Sequence, residues 1–302
     1  MCDRVTLGAA CVAAVLLTTT AFAQPPAPVA PAAQADYSQV QISVTKLSGN
    51  FYTLDGAGGR IGVLPGPDGV FMVDSQFAPL TEKIVAAIKT ISDRPIRYMV
   101  NTHVHPDHTG GNENLGKMGV TLMSRDQLRA RLATGVRPSP PAALATITYN
   151  STVTMHMNGE DIQLIPVPSA HTDGDTMVYF PKANVIMTGD FYRSIQYPYP
   201  DRSSGGSFQG LVDGLNAVIA LAGPATKIVP GHGPVVSRVE IAAHRDTALA
   251  LAAKVEVMVK QGKTADEIAA AKLTNEFDGR IQQPAATGER FVRALVAEFS
   301  AR

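Results

Sequence analysis

The sequence contains no tryptophan, and its only two cysteines, Cys2 and Cys11, fall in the first eleven of 302 residues. Over the rest of the chain, thiol catalysis, cysteine metal ligation and disulfides therefore have no residues to work with. Net charge is also missing, because 26 Lys and Arg balance 26 Asp and Glu. Without a basic excess there is no electrostatic footprint for nucleic acid or for an acidic lipid surface. The apolar run at residues 5–17 falls short of the roughly eighteen residues a bilayer-spanning helix needs, so no stable membrane anchor is expected. What is present is a globular supply of apolar residues, 45% of the chain, enough at this length for a substantial core. There are also seven histidines, and three of them, His103, His105 and His108, fall within six residues.

Residues 1–23 read as an export signal: an apolar run, three threonines, then Ala21-Phe22-Ala23 before Gln24. This places both cysteines in a removed leader and predicts an exported, periplasmic protein. Residues 24–36 follow as a Pro/Ala-rich tether, expected to be disordered. Residues 37–302 are expected to form one domain, including a helical tail at 238–302.

Residues 40–77 hold short β-rich segments (QISVTKL, NFYTLD, RIGVLPG, GVFMVDS) separated by Gly-containing turns. Residues 79–91 then place Leu80, Ile84, Ala87, Ile88 and Ile91 at helical spacing, with Pro79 in the first turn. A buried-strand pattern at 96–100 runs directly into Asn101-Thr102-His103. The histidine cluster thus sits on the loop at a strand's carboxyl end, where open sheets commonly place ligand sites. The second half repeats the alternation. A helix is predicted near 124–133, strands near 152–157, 162–167, 177–180 and 185–187, a helix near 208–221, and a strand at 227–229 leading to Pro230-Gly231-His232. His103, His171, Asp190 and His232 each follow a strand-like segment. Two such halves predict a mixed α/β (α+β) sandwich with a site between them.

The segment Thr102-His103-Val104-His105-Pro106-Asp107-His108 carries the chemistry. Residues two apart on a loop can point to one side, so His103 and His105 can share one metal while Asp107 and His108 turn toward a second. Imidazole and carboxylate donors without sulfur suit zinc, and iron or manganese fit the same set. His171 (AHTDGD), Asp190 (MTGDFY) and His232 (PGHG) add three more ligand candidates in Gly-rich contexts.

The ordered set His-x-His-x-Asp-His followed by His171, Asp190 and His232 resembles the metallo-β-lactamase superfamily. That resemblance implies a four-layer αβ/βα sandwich and two Zn²⁺ ions. His103, His105 and His171 would bind the first, Asp107, His108 and His232 the second, and Asp190 would bridge them. It also implies that Asp74 supports a ligand from behind, and that a metal-bridging hydroxide attacks a small carbonyl substrate such as a β-lactam, lactone or thioester. Asp107 would orient that hydroxide and relay a proton. An aspartate at position 190, where many β-lactamases carry cysteine or serine, looks more like glyoxalase II and lactonases. An iron-dependent oxidative member, similar to persulfide dioxygenases, is the alternative class.

Arg193, three residues after Asp190, stands at the offset where some β-lactamases hold a substrate carboxylate, and it could pair such a group bidentately. Tyr192, Tyr197, Tyr199 and Phe208, together with the loop at 137–144 and the turn at 56–59, are expected to line the substrate site. His156 and His244 are read as surface or packing residues, and Met99, Met118, Met123 and Met187 as core fillers.

Overall fold

Seven strands from the first part of the chain pair side by side in sequence order. They are β1 (Ser43–Ser48), β2 (Phe51–Asp55), β3 (Ile61–Gly66), β4 (Gly69–Val73), β5 (Ile96–Val100), β6 (Thr121–Arg125) and β7 (Ile147–Tyr149). The computed structural model describes Met1 and residues 36–301. The leader and the tether expected at 1–23 and 24–36 lie outside the described residues, apart from Met1 and Asp36. β1 to β4 form an antiparallel meander, as their glycine turns dictate, and β4 to β7 run parallel. The parallel connections carry helices α1 (Thr81–Lys89), α2 (Pro106–Thr109), α3 (Asn112–Lys117) and α4 (Asp126–Thr134).

A second sheet has the order β12-β11-β10-β9-β8. Its strands are β8 (Val153–Met157), β9 (Glu160–Pro166), β10 (Thr176–Phe180), β11 (Val185–Arg193) and β12 (Lys227–His232), and only β11 and β12 run parallel. The helices of this half are α5 (Phe208–Leu221), α6 (Arg238–Lys260), α7 (Ala265–Ala270) and α8 (Pro284–Phe299).

Three apolar clusters make the four layers. Between the sheets, Phe51, Phe71, Val73 and Val100 meet Leu164, Val178, Phe180 and Val229. Phe180 stands between Phe51 and Phe71, with ring centroids 4.6 and 6.1 Å away. Outside the first sheet, Leu80 just before α1 and Ile84 and Ile88 of α1 cover Met72, Met99 and Leu122. Outside the second, Leu211, Leu215 and Val218 of α5 and Ile241 of α6 cover Ile186 and Ile228. A fourth cluster joins α6, α7 and α8 through Leu251, Val255, Ile268, Phe291 and Leu295, and it takes in Tyr197 and Phe208. Ser237 and Glu240 form a reciprocal capping box that fixes where α6 begins.

The helices at 208–221 and 238–260 fall where the sequence places them. Two strands were not anticipated: β6 precedes the helix expected at 124–133, and β7 adds an edge. Asp190 and His232 do not follow strands but lie within them, because β11 continues to Arg193 and β12 to His232. Met99, Met123 and Met187 are buried, whereas Met118 is 56% exposed at the end of α3 and fills no core.

Candidate metal centre

The loop after β5 is fixed from several directions. Asn101 gives its side-chain amide to the His108 carbonyl at 3.1 Å, and the Ser75 hydroxyl donates to the same oxygen at 3.0 Å. His105 precedes α2 in an extended conformation, and Pro106 opens that short helix, which carries Asp107 and His108, the His108 ring lying 4.1 Å from that of His103. His171 lies between β9 and β10. The Asp175 carboxylate holds it there, accepting from the His171 backbone N–H at 2.6 Å and from the Thr172 hydroxyl at 2.6 Å. Two glycines permit the close approach. A Cβ on Gly231 would stand 1.9 Å from Asp190 Oδ1, and one on Gly59 2.0 Å from His108 Cε1.

The side chains form two groups that share one carboxylate. His103, His105, His171 and Asp190 offer donor atoms that all lie within 4.8 Å of one another, as do Asp107, His108, Asp190 and His232. Asp190 divides its oxygens between them. Oδ2 faces His103 Nε2 at 3.7 Å and His171 Nε2 at 3.8 Å, while Oδ1 faces His108 Nε2 at 3.3 Å and His232 Nε2 at 3.4 Å. With bonds of about 2.0–2.1 Å, ligands of one tetrahedral zinc stand roughly 3.4 Å apart, so this spacing suits ligands converging on a cation. His103 Nε2, His108 Nε2 and Asp190 Oδ1 are buried without a hydrogen-bond partner, which is costly unless something else takes their lone pairs. The residues therefore fit divalent cations of the zinc type.

The far nitrogens are held by a further set of groups. His108 Nδ1 meets Asp74 Oδ2 at 2.8 Å, and Asp74 also accepts from the Thr102 N–H and hydroxyl at 2.7 Å each. His105 Nε2 meets Asp201 Oδ2 at 2.9 Å, and His171 Nδ1 donates to the Tyr199 carbonyl at 2.6 Å. Such contacts fix ring orientation and tautomer. Burial pushes His171 down to about 3 and His103 well below the usual range, which keeps both as neutral donors. Burial acts the same way on His108, but Asp190 and Asp74 outweigh it and raise this imidazole. For Asp107, burial favours the neutral acid, and the hydrogen bond to His232 with the His108 charge overcomes it.

The residues expected around the substrate scatter. Arg193 reaches the centre, where its Nη2 pairs with Asp190 Oδ2 and its Nη1 donates to Gln196 at 3.1 Å. Tyr199 also lies there, its ring 5.6 Å from that of His171. Tyr192 does not face the ligand-candidate histidines. It is 3% exposed and packs edge-on to His244 of α6 at 5.0 Å, because the end of β11 is covered by that helix. Tyr197 and Phe208 are core residues of the helical tail. The turn at 56–59 borders Asp107 and His108, whereas the loop at 137–144 packs with Ala142 against Gly116 of α3. His156 is exposed and pairs with Asp161 at 2.7 Å. Sequence reasoning missed Asp201, Asp175 and Arg290. The Asp175 loop, Thr172 to Asp175, carried the local signal of an Asp capping backbone N–H groups; the other two carried none.

Residues 66–210 match a family model described as ODP family beta lactamase. A linear primary-alkylsulfatase of Pseudomonas sp. is 23% identical over 219 residues, covering 58% of this chain and 41% of that enzyme. The metallo-β-lactamase FIM-1 of Pseudomonas aeruginosa, solved in a mono-zinc form, superposes with a TM-score of 0.58 at 18% identity, over 68% of this chain and 94% of its own. A double mutant of the sec-alkyl sulfatase PisA1 superposes with a TM-score of 0.66 at 16% identity, over 84% of this chain and 49% of its own. This chain thus spans less than half the length of either sulfatase. The sandwich, the order of the ligand candidates and these likenesses all indicate the metallo-β-lactamase superfamily.

Proposed function

We propose that the protein is an exported hydrolase that holds two zinc ions, one by His103, His105 and His171 and one by Asp107, His108 and His232, with Asp190 between them. The observation that carries this reading is the division of Asp190, Oδ2 to one group and Oδ1 to the other. Bound divalent cations supply Lewis acidity, which acidifies water and polarises the bond to be broken. The chain's own groups do the rest. Asp107 is the ligand-group carboxylate that keeps solvent access, at 22% side-chain exposure, so it is placed to accept and return a proton. Asp74, Asp201 and the Tyr199 carbonyl keep the imidazoles in one orientation, so no reorganisation is needed during reaction.

The substrate on this reading is a small carbonyl compound, a lactam, lactone or thioester. A second reading, hydrolysis of a sulfate ester, is favoured by the two alkylsulfatase relatives, one of which superposes on 84% of this chain. Zinc-loaded protein is to be assayed on a chromogenic cephalosporin, an acyl-homoserine lactone, a glutathione thioester, a phosphodiester and an alkyl sulfate, with its metal content measured. Turnover of one substrate that falls at least about a hundredfold in Asp107→Asn supports the assignment, in line with the weight of general acid–base groups. Iron content with oxygen consumption, or two bound zinc ions with no turnover of any substrate, overturns it.

A further inference from the structure

Two guanidinium groups stand at the edge of the metal centre, and among the described residues only one of them has an anionic partner. Arg193 pairs with Asp190. Arg290 comes from α8 in the C-terminal tail and lies over the Tyr199 ring, its Cζ 4.1 Å from the centroid. Tyr199 in turn holds His171 through its carbonyl. Arg290 Nε and Nη2 are buried and meet no acceptor among the described residues, and the Nε of Arg193 is in the same state. Burial first, and the Arg193 charge second, disfavour the charged form of Arg290, so the two cations are near enough to repel.

The position of Arg290 is fixed rather than incidental. Gln283 gives its backbone N–H to the Ile195 carbonyl at 2.9 Å, Thr287 accepts from the Tyr197 N–H at 3.2 Å, and Phe291 stacks on Tyr197 with centroids 6.0 Å apart. The first two turns of α8 are therefore bonded to the segment that supplies Tyr199 and Asp201. Arg290 as a whole is half-buried, but buried guanidinium N–H groups without an acceptor, its Nε and Nη2 beside the Nε of Arg193, are costly. The group that relieves both is an oxyanion with at least two acceptor oxygens, which matches the guanidinium fork.

We propose that Arg290, acting with Arg193, recognises an anionic group on the substrate, a sulfate or a carboxylate next to the bond that is hydrolysed. This rests on the hydrolase reading above and narrows its substrate class. Arg193 pairs with Asp190 through Nη2 and keeps its buried Nε without an acceptor. Arg290 has no such prior commitment, and the aromatic face of Tyr199 keeps its fork in place.

The test is equilibrium binding, not turnover. The zinc-loaded full chain, with metal content measured, is titrated by calorimetry with 1-hexanesulfonate, hexanoate and uncharged hexanamide. Wild-type protein is expected to bind at least one anion more tightly than the amide. Arg290→Met keeps an apolar contact with Tyr199 and is expected to weaken that anion about tenfold with zinc content unchanged, a change worth about 1.4 kcal/mol. Arg290→Lys should recover part of the loss, since it restores charge without the fork. Arg290→Gln makes the same comparison independently of how well the Met variant folds. A preference for sulfonate assigns a sulfate-bearing substrate, and a preference for hexanoate a carboxylate-bearing one. Anions bound no tighter than the amide, or full anion affinity in Arg290→Met and Arg290→Gln, overturn the proposal while leaving the hydrolase reading intact. Failure to take up zinc overturns both.

Discussion

His108 and Asp74 meet at 2.8 Å in a contact where the imidazole is 0% and the carboxylate 1% exposed. Asp74 reaches it from a left-handed backbone conformation, φ 62°, at the end of β4. Asparagine tolerates that conformation, so Asp74→Asn removes the charge without straining the turn. It is expected to cost roughly 10–100-fold in affinity for the ion on Asp107, His108 and His232, as loss of such supporting groups typically does. Zinc stoichiometry under a graded chelator should show one ion leaving early and the other retained.

Asp201→Asn should have the complementary effect. Asp201 orients His105 and also caps the turn at Arg202–Ser204, where Ser203 N–H donates to it at 3.0 Å. Asparagine keeps the cap and loses the charge, so the ion on His103, His105 and His171 should weaken by a similar roughly 10–100-fold factor. Combining Asp74→Asn with Asp201→Asn should leave a protein that retains neither ion after dialysis. Retention of both ions in the double variant would contradict the two-group assignment.

Gly231→Ala acts on the shared carboxylate. Its Cβ would fall 1.9 Å from Asp190 Oδ1, so Asp190 or the strand must move. Both ions should be lost together while far-ultraviolet circular dichroism stays at the wild-type level. Selective loss of one ion would mean that Asp190 is not shared.

Chelation should lower the melting temperature, and zinc should restore it. Each site that binds only the folded chain adds about 2.7 kcal/mol when free zinc is 100 times its Kd. Magnesium should not substitute, because it prefers oxygen ligands and five of these seven residues offer imidazole. Equal stabilisation by magnesium would argue against the nitrogen-rich sites.

Burial alone pushes His244 down to about 4, from an unfolded value near 6.5. Between those values the unfolded chain binds the proton and the folded chain does not. Stability from this group is therefore complete above about 6.5 and falls as the pH drops toward 4. His244→Phe preserves an edge contact with Tyr192 and removes the titration. The fall in melting temperature between pH 7 and pH 5 should be smaller in the variant than in wild type. An identical fall would show that His244 titrates normally.

The ligand candidates were legible in the sequence because four of them crowd into residues 103–108 and the others sit beside glycines that let the backbone close in. The groups behind them were less so. Asp201 meets a histidine 96 positions away, and no local pattern encodes that contact. Arg290 reads as one charge on an amphipathic helix, and only the docking of α8 on the segment after β11 gives it a place at the site. Tyr192 misled for the opposite reason, since a tyrosine between a ligand and an arginine resembles a wall residue until α6 covers it. The end of β11 was misjudged because Thr188, Gly189 and Asp190 look like a loop, yet the parallel partner β12 carries the ladder through them.

The ligands of the centre are brought together across long stretches of chain. His105 meets His171 over 66 positions, and Asp107 meets His232 over 125. No isolated segment of the chain contains a whole site, and closing loops of this length is the slow part of folding. Ion uptake is thus a clock for a late folding event. A zinc-sensitive signal during refolding would time the moment the two sheets seat against each other, after the local helices have formed.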